Sequence, residues 1–145
     1  MTYLQILVVD DSLITVKKLS SMLTTLGHQV VRTAATGLEA LTAYETYKPD
    51  LVTMDITMPD MDGIEATRRI RQKFPDALII MVTSHGQEKM VLDALKAGAK
   101  GYVLKPFHED KLKEVIETAV KRHIQPDKLQ QVIEAKQSEA QGDAA

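Results

Sequence analysis

Three largely apolar runs end abruptly in charged residues, and that punctuation limits the folds open to the chain. Leu4-Gln5-Ile6-Leu7-Val8-Val9 stops at Asp10-Asp11, Leu51-Val52-Thr53-Met54 stops at Asp55, and Gly101-Tyr102-Val103-Leu104 stops at Lys105-Pro106. Short, nearly continuous apolar runs suit strands covered on both faces, which are characteristic of parallel sheets. If the three are parallel strands of one sheet, their carboxyl ends lie side by side, and three acids and one lysine converge. Ligands of open α/β sheets bind at that edge. Crowded carboxylates need a cation, and hard oxygen donors beside a lysine favour Mg²⁺ next to a phosphoryl group. The pattern implies a phosphoryl-accepting site.

The remaining sequence alternates in a way that supplies such a sheet. A strand at Leu4–Val9 leads to a helix near Leu13–Leu26, with Val16, Leu19, Leu23 and Leu26 on one face and Gly27 as its stop. Gln29–Ala34 is the second strand, and Thr36-Gly37-Leu38-Glu39 reads as a capping box opening a helix that ends before Lys48-Pro49. Leu51–Met54 is the third and central strand. Pro59 and Gly63 mark a loop before a helix from about Ile64, capped by Asp62 and ending near Phe74-Pro75. Leu78–Val82 is the fourth strand, Gln87–Ala97 a helix closed by Gly98, and Gly101–Leu104 the fifth strand. The last long helix carries Leu112, Val115, Ile116, Ala119 and Val120 as an apolar stripe. Five strands alternating with five helices make a (βα)5 arrangement: an α/β fold with a doubly wound parallel five-stranded sheet and helices on both faces.

Residues 1–124 are expected to form this single domain. With 145 residues the chain has one core's worth of sequence, expected to bury roughly 68–70% of its unfolded surface. Residues 125–145 are expected to add an extension in which Pro126-Asp127 starts a short helix carrying Leu129, Val132 and Ile133, followed by a disordered, polar Ser138–Ala145. A net charge of −2 gives no basic field to recruit nucleic acid or an anionic membrane. No apolar run approaches the ~18 residues that span a bilayer. The start carries no positive flank or cleavage signal, so a cytoplasmic location is expected. The absence of cysteine removes disulfides, thiolate catalysis and Cys-ligated zinc together.

Taken singly, the site residues also have ordinary readings. Asp10-Asp11-Ser12 suits an N-cap cluster, since acids favour the positive end of a helix. Lys105-Pro106 suits a snorkelling lysine before a helix-start proline. Thr83 or Ser84 suits a cap for the following helix, and Tyr102 in a strand suits core packing. Asp55, directly after a buried run, is harder to account for as a turn residue. Four strand ends that carry an acid pair, an acid, a hydroxyl and a lysine in order outweigh these separate readings.

The motifs Val8-Val9-Asp10-Asp11-Ser12, Asp55-Ile56-Thr57-Met58-Pro59-Asp60-Met61-Asp62-Gly63, Thr83-Ser84 and Lys105-Pro106 resemble the receiver domain of bacterial two-component response regulators, specifically the single-domain CheY-like kind. The resemblance runs from Leu4 to about Ile124, and Asp50–Pro59 is especially similar to chemotaxis regulators. It implies the sheet order 2-1-3-4-5. It also implies that Asp55 is the nucleophile taking a phosphoryl group from a kinase phosphohistidine. Asp10 or Asp11, with Asp55 and the Thr57 backbone carbonyl, would hold Mg²⁺, and Lys105 would set a positive charge against the phosphoryl oxygens. Thr83 would hydrogen-bond the phosphoryl group, Ser84 would leave the site accessible, and Tyr102 would turn inward as Thr83 moves. Thr57 and His85 would tune how long the phosphate survives.

The expected partners are a histidine kinase and a downstream output protein, a flagellar motor switch or phosphorelay protein, with no nucleic acid or membrane and a monomeric or weakly dimeric chain. A non-chemotaxis single-domain regulator is the alternative. A phosphatase with an aspartate nucleophile is the more distant one, because the acid/base aspartate it needs two residues on is here Thr57. A flavodoxin-like carrier needs a hydroxyl- and glycine-rich loop where Asp10-Asp11 stands, and no P-loop or dinucleotide-binding fingerprint is present.

Overall fold

The first three strands and the helices between them are β1 (Gln5–Val9), α1 (Leu13–Thr25), β2 (Gln29–Ala34), α2 (Gly37–Tyr47) and β3 (Leu51–Asp55). They are followed by α3 (Gly63–Lys73), β4 (Ile79–Ser84), α4 (Glu88–Lys96) and β5 (Tyr102–Lys105). A fifth helix, α5, covers residues 109–123. The structure is a computed structural model that describes residues 3–84 and 88–123. His85, the start of the fourth helix at Gln87, and the expected extension with Leu129, Val132 and Ile133 lie outside those residues.

All strand pairs are parallel and the order is β2-β1-β3-β4-β5, so the expected (βα)5 sheet is present. The three inner strands are largely apolar because helices cover both their faces: every residue of β3 is buried, as are Ile6–Val9 of β1 and Ile79–Thr83 of β4. Side chains of alternate parity enter two separate layers. Ile6, Val8, Leu51, Ile80 and Val103 pack with Leu19 and Leu23 of α1 and Leu112, Ile116 and Ala119 of α5. Leu7, Val9, Val52, Met54 and Met81 pack with residues of α2, α3 and α4 on the other face. The stripe read on α1 supplies two fully buried leucines, and each such burial contributes roughly 1.5–3 kcal/mol.

The helix boundaries follow local chemistry. Ser12 caps α1 by accepting the Thr15 N–H at 3.4 Å, and Gly27 ends that turn at φ +96°, a left-handed conformation suited to glycine. Thr36 caps α2 by accepting the Glu39 N–H at 3.1 Å, while Glu39 reaches the Ala35 N–H at 2.9 Å. The capping box is therefore displaced by one residue from its usual reciprocal form. Asp62 accepts the Glu65 N–H at 2.7 Å and opens α3, as expected.

Several strand ends differ by a residue or two from the sequence expectation: β3 runs on to Asp55, and β5 spans Tyr102–Lys105 rather than Gly101–Leu104. Leu4 and Leu78 stand just before their strands, each still accepting a ladder hydrogen bond, from Gln29 and Val52 respectively. β4 continues past Val82 through Thr83 and Ser84, because β5 extends alongside to Lys105 and pairs Thr83 with Leu104 and Ser84 with Lys105. Among the described residues, no helix is long and apolar enough to cross a membrane.

Candidate functional site

Strand parity decides which side chains can meet at the carboxyl edge. Val8, Leu51 and Val103 all enter the α1–α5 layer, so Asp10, Asp55 and Lys105, each an even number of residues further on, leave the sheet toward that same face. The Lys105 ammonium lies 2.9 Å from Asp10 Oδ2 and 3.6 Å from Asp55 Oδ1. Asp10 and Asp55 are buried, at 2% and 5% exposure, while Asp11 is exposed. One carboxylate oxygen of each of the three acids lies within 4.8 Å of the others. The convergence expected from the three interrupted runs is therefore present.

Asp10 serves two purposes. Its Oδ1 accepts the Ser12 N–H at 2.8 Å, fixing the turn into α1, while Oδ2 faces Lys105. The capping reading of this cluster is thus correct for Ser12 and incomplete for the acids. Lys105 is not a snorkelling surface lysine, since its ammonium is turned inward onto two buried carboxylates. The Lys105–Pro106 peptide is cis.

Burial, and then the neighbouring Asp10 charge, push the Asp55 carboxyl up from 3.8 to about 6, with Lys105 pulling the other way. Three acids against one lysine leave an excess of negative charge in a confined space, which a divalent cation would offset. The donor set fits Mg²⁺. Its ligands are hard oxygens at ~2.1 Å, so opposite ligands sit about 4.2 Å apart, and carboxylate oxygens that all lie within 4.8 Å of one another are near enough to share one ion.

Thr83 is fully buried in β4 and carries the parity of Ile79 and Met81, opposite to that of Asp55. It stands one residue beyond Val82, the register partner of Asp55. Ser84 is exposed at the end of the strand, and Thr57 is exposed on the loop after β3. Tyr102 lies apart from these residues. It pairs with Met81, three residues before Lys105, which is about 10 Å back along the strand. Its exposure of 44% excludes the core-packing reading. Beside it runs a groove of about 550 Å³, lined by Leu95, Leu104, Phe107 and Lys111 among others.

The loop after Asp55 is closed at its base, where the Gly63 N–H donates to the Ile56 carbonyl at 2.6 Å. A Cβ on Gly63 would stand 1.9 Å from the Asp55 carbonyl oxygen, so any larger residue at the start of α3 would force the backbone to shift. Asp60, which the sequence did not single out, accepts the N–H groups of Gly37 and Leu38 at 2.8 and 2.9 Å. Only its place after Pro59 in a turn could have drawn attention to it, because its partners are more than twenty residues away.

The sequence matches the response regulator receiver domain family over residues 6–117. It is 44% identical over 118 residues to the chemotaxis protein CheY of Listeria monocytogenes, covering 81% of this chain and 99% of that one. With CheY of Bacillus subtilis the identity is 46% over 112 residues, or 77% of this chain and 93% of that one. Among solved structures, one chain of the CheX-CheY-BeF3-Mg+2 complex from Borrelia burgdorferi matches with a TM-score of 0.77 and 38% identity, over 80% of this chain and 88% of that one. Since the family match over residues 6–117 includes every strand end that builds the acidic edge, the chain belongs to the response regulator receiver domain family and is closely related to the CheY chemotaxis regulators.

Proposed function

We propose that the protein is a phosphoacceptor switch in which Asp55 takes a phosphoryl group from a histidine kinase phosphohistidine. An Asp55 carboxylate oxygen forms the new P–O bond as the P–N bond breaks, and the departing imidazole keeps the electron pair and takes up a proton. The observation that carries this reading is the Lys105 ammonium 3.6 Å from Asp55 Oδ1 within a cluster of three carboxylates. Such a charge stabilises phosphoryl oxygens best where water is restricted, and Asp55 is 5% exposed.

Mg²⁺ would be held by Asp10 or Asp11, by Asp55 and by the Thr57 backbone carbonyl. When bound it supplies positive charge to the carboxylates and to the phosphoryl oxygens. Asp11 is the more available of the acid pair, because both oxygens of Asp10 are engaged by Ser12 and Lys105. Thr83 hydrogen-bonds the phosphoryl group, and Ser84 keeps the mouth of the site open. The protein promotes its own phosphotransfer and a slow autodephosphorylation, and otherwise acts through protein contacts in the cytoplasm.

The output is read at the side of the sheet where Tyr102 lies, beside the exposed Leu95 of α4, which lines the same groove. Chemotaxis is the pathway best supported, because the Listeria and Bacillus relatives are chemotaxis proteins. The test of the phosphoacceptor is direct. Wild-type protein given a phosphorylated kinase or a small phosphoramidate donor gains a phosphoryl group by mass spectrometry, and Asp55→Asn does not. Labelling of the Asp55→Asn protein at the wild-type rate would overturn the assignment.

A further inference from the structure

We infer that Asp60 is a positioning residue for the metal-binding side of the site, clipping the loop that carries Thr57 onto the first turn of α2. The inference rests on the reading of the Thr57 carbonyl as a metal ligand. The loop 56–62 is attached at two levels. At its base the Gly63 N–H donates to the Ile56 carbonyl at 2.6 Å. Toward its far side, the two Asp60 carboxylate oxygens each take one N–H from α2, Oδ1 from Gly37 at 2.8 Å and Oδ2 from Leu38 at 2.9 Å. Thr57 stands between these two attachments.

Packing makes the same connection independently. A Cβ on Gly37 would meet Met61 Cγ at 2.1 Å, so the Met61 side chain lies directly against the first residue of α2, and it packs on the α2–α4 layer of the core. Charge reinforces the clip. The first N–H groups of a helix have no partner within it, and its positive end favours an anion. The hydrogen bonds from Leu38 and Gly37 accordingly hold the Asp60 carboxyl below its ordinary range. Thr36 satisfies the next donor, that of Glu39, from the connection before the helix rather than from the loop. Two residues therefore cap the same helix, and only one of them also holds the loop.

That difference provides the test. Mg²⁺ alone is titrated into the full chain and followed by amide chemical shifts, with thermal unfolding recorded in parallel. Asp60→Ala is expected to weaken Mg²⁺ binding on the order of tenfold, the scale at which residues that orient metal ligands act. Thr36→Ala should lower the melting temperature while keeping the wild-type Mg²⁺ affinity. Asp60→Asn keeps one acceptor oxygen and should fall between wild type and Asp60→Ala, so it carries the test if Asp60→Ala does not fold. Wild-type Mg²⁺ affinity in the Asp60 variants, or equal weakening by Thr36→Ala, would overturn the inference. A wild-type chain that binds no Mg²⁺ overturns both this inference and the metal reading beneath it. Failure of the phosphoacceptor assignment would appear separately, as labelling of Asp55→Asn.

Discussion

Asp55 is ionised at neutral pH against the preference of its surroundings, and that opposition can be measured. Its carboxyl is raised to about 6 by burial and by the Asp10 charge, above the ordinary 3.8 that the unfolded chain would show. Between those two values the native state holds the proton more tightly than the unfolded state, so stability falls as pH rises through that window and stays lowered above it. Asp55→Asn removes the buried charge. It should raise stability at pH 7.5 by roughly 1–2 kcal/mol, less than the full shift implies because the mouth of the site is partly screened by water. The gain should shrink as pH falls below 6 and vanish near 4. Urea unfolding of both proteins across this range is the check, and a gain that is flat with pH would assign the effect to packing rather than charge. Added Mg²⁺ should stabilise the wild type more than Asp55→Asn, since a ligand that binds only the native state stabilises it more the tighter it binds, as the logarithm of its affinity.

The join between β3 and α3 shows how an element boundary builds the site. The Asp55 carbonyl and the Gly63 backbone approach so closely that a methyl group at Gly63 would overlap the carbonyl oxygen. Gly63→Ala should therefore move the start of α3 away from the sheet and cost about 1–3 kcal/mol, the usual penalty for overpacking a fitted contact. It should also slow phosphoryl acceptance, because the displaced carbonyl belongs to Asp55 itself. An unchanged urea midpoint with an unchanged labelling rate would show that the helix start can yield. Much of this was legible in the sequence because it is local. Apolar runs ending in Asp55 and Lys105, a cap at Asp62 and stops at Gly27 and Lys48-Pro49 each declare themselves within a few residues. The extension of β4 through Thr83 and Ser84 was less legible, since hydroxyl residues suit a strand end as readily as a cap. The role of Asp60 was not legible, because the N–H groups it accepts belong to Gly37 and Leu38 of another helix, and no local pattern encodes such a pairing.

Across the whole molecule, the phosphoryl edge and the proposed output surface are separate places joined by two adjacent strands. Asp55, Asp10 and Lys105 share the α1–α5 face, whereas Thr83 in β4 and Tyr102 in β5 have the parity of the opposite layer. Thr83 is buried and Tyr102 is exposed, beside the groove lined by Leu95, Leu104 and Phe107. A phosphoryl group brings roughly −2 of charge to the edge, and drawing Thr83 toward it would open space on the side where Tyr102 can turn in. A partner then responds only if it binds the inward arrangement better than the outward one, since equal affinity for both shifts nothing. This separates building the site from reading it. Tyr102→Ala should leave the labelling rate of Asp55 at the wild-type value, because Tyr102 touches none of the three acids or Lys105. It should weaken binding of the phosphorylated protein to its output partner by about tenfold, the loss typical of a truncated aromatic at an interface centre. Measuring both quantities on one preparation decides the matter. A matching loss of labelling rate would make Tyr102 part of the site's architecture. An equal loss of partner affinity without phosphorylation would make it a static contact and remove the switch from this strand.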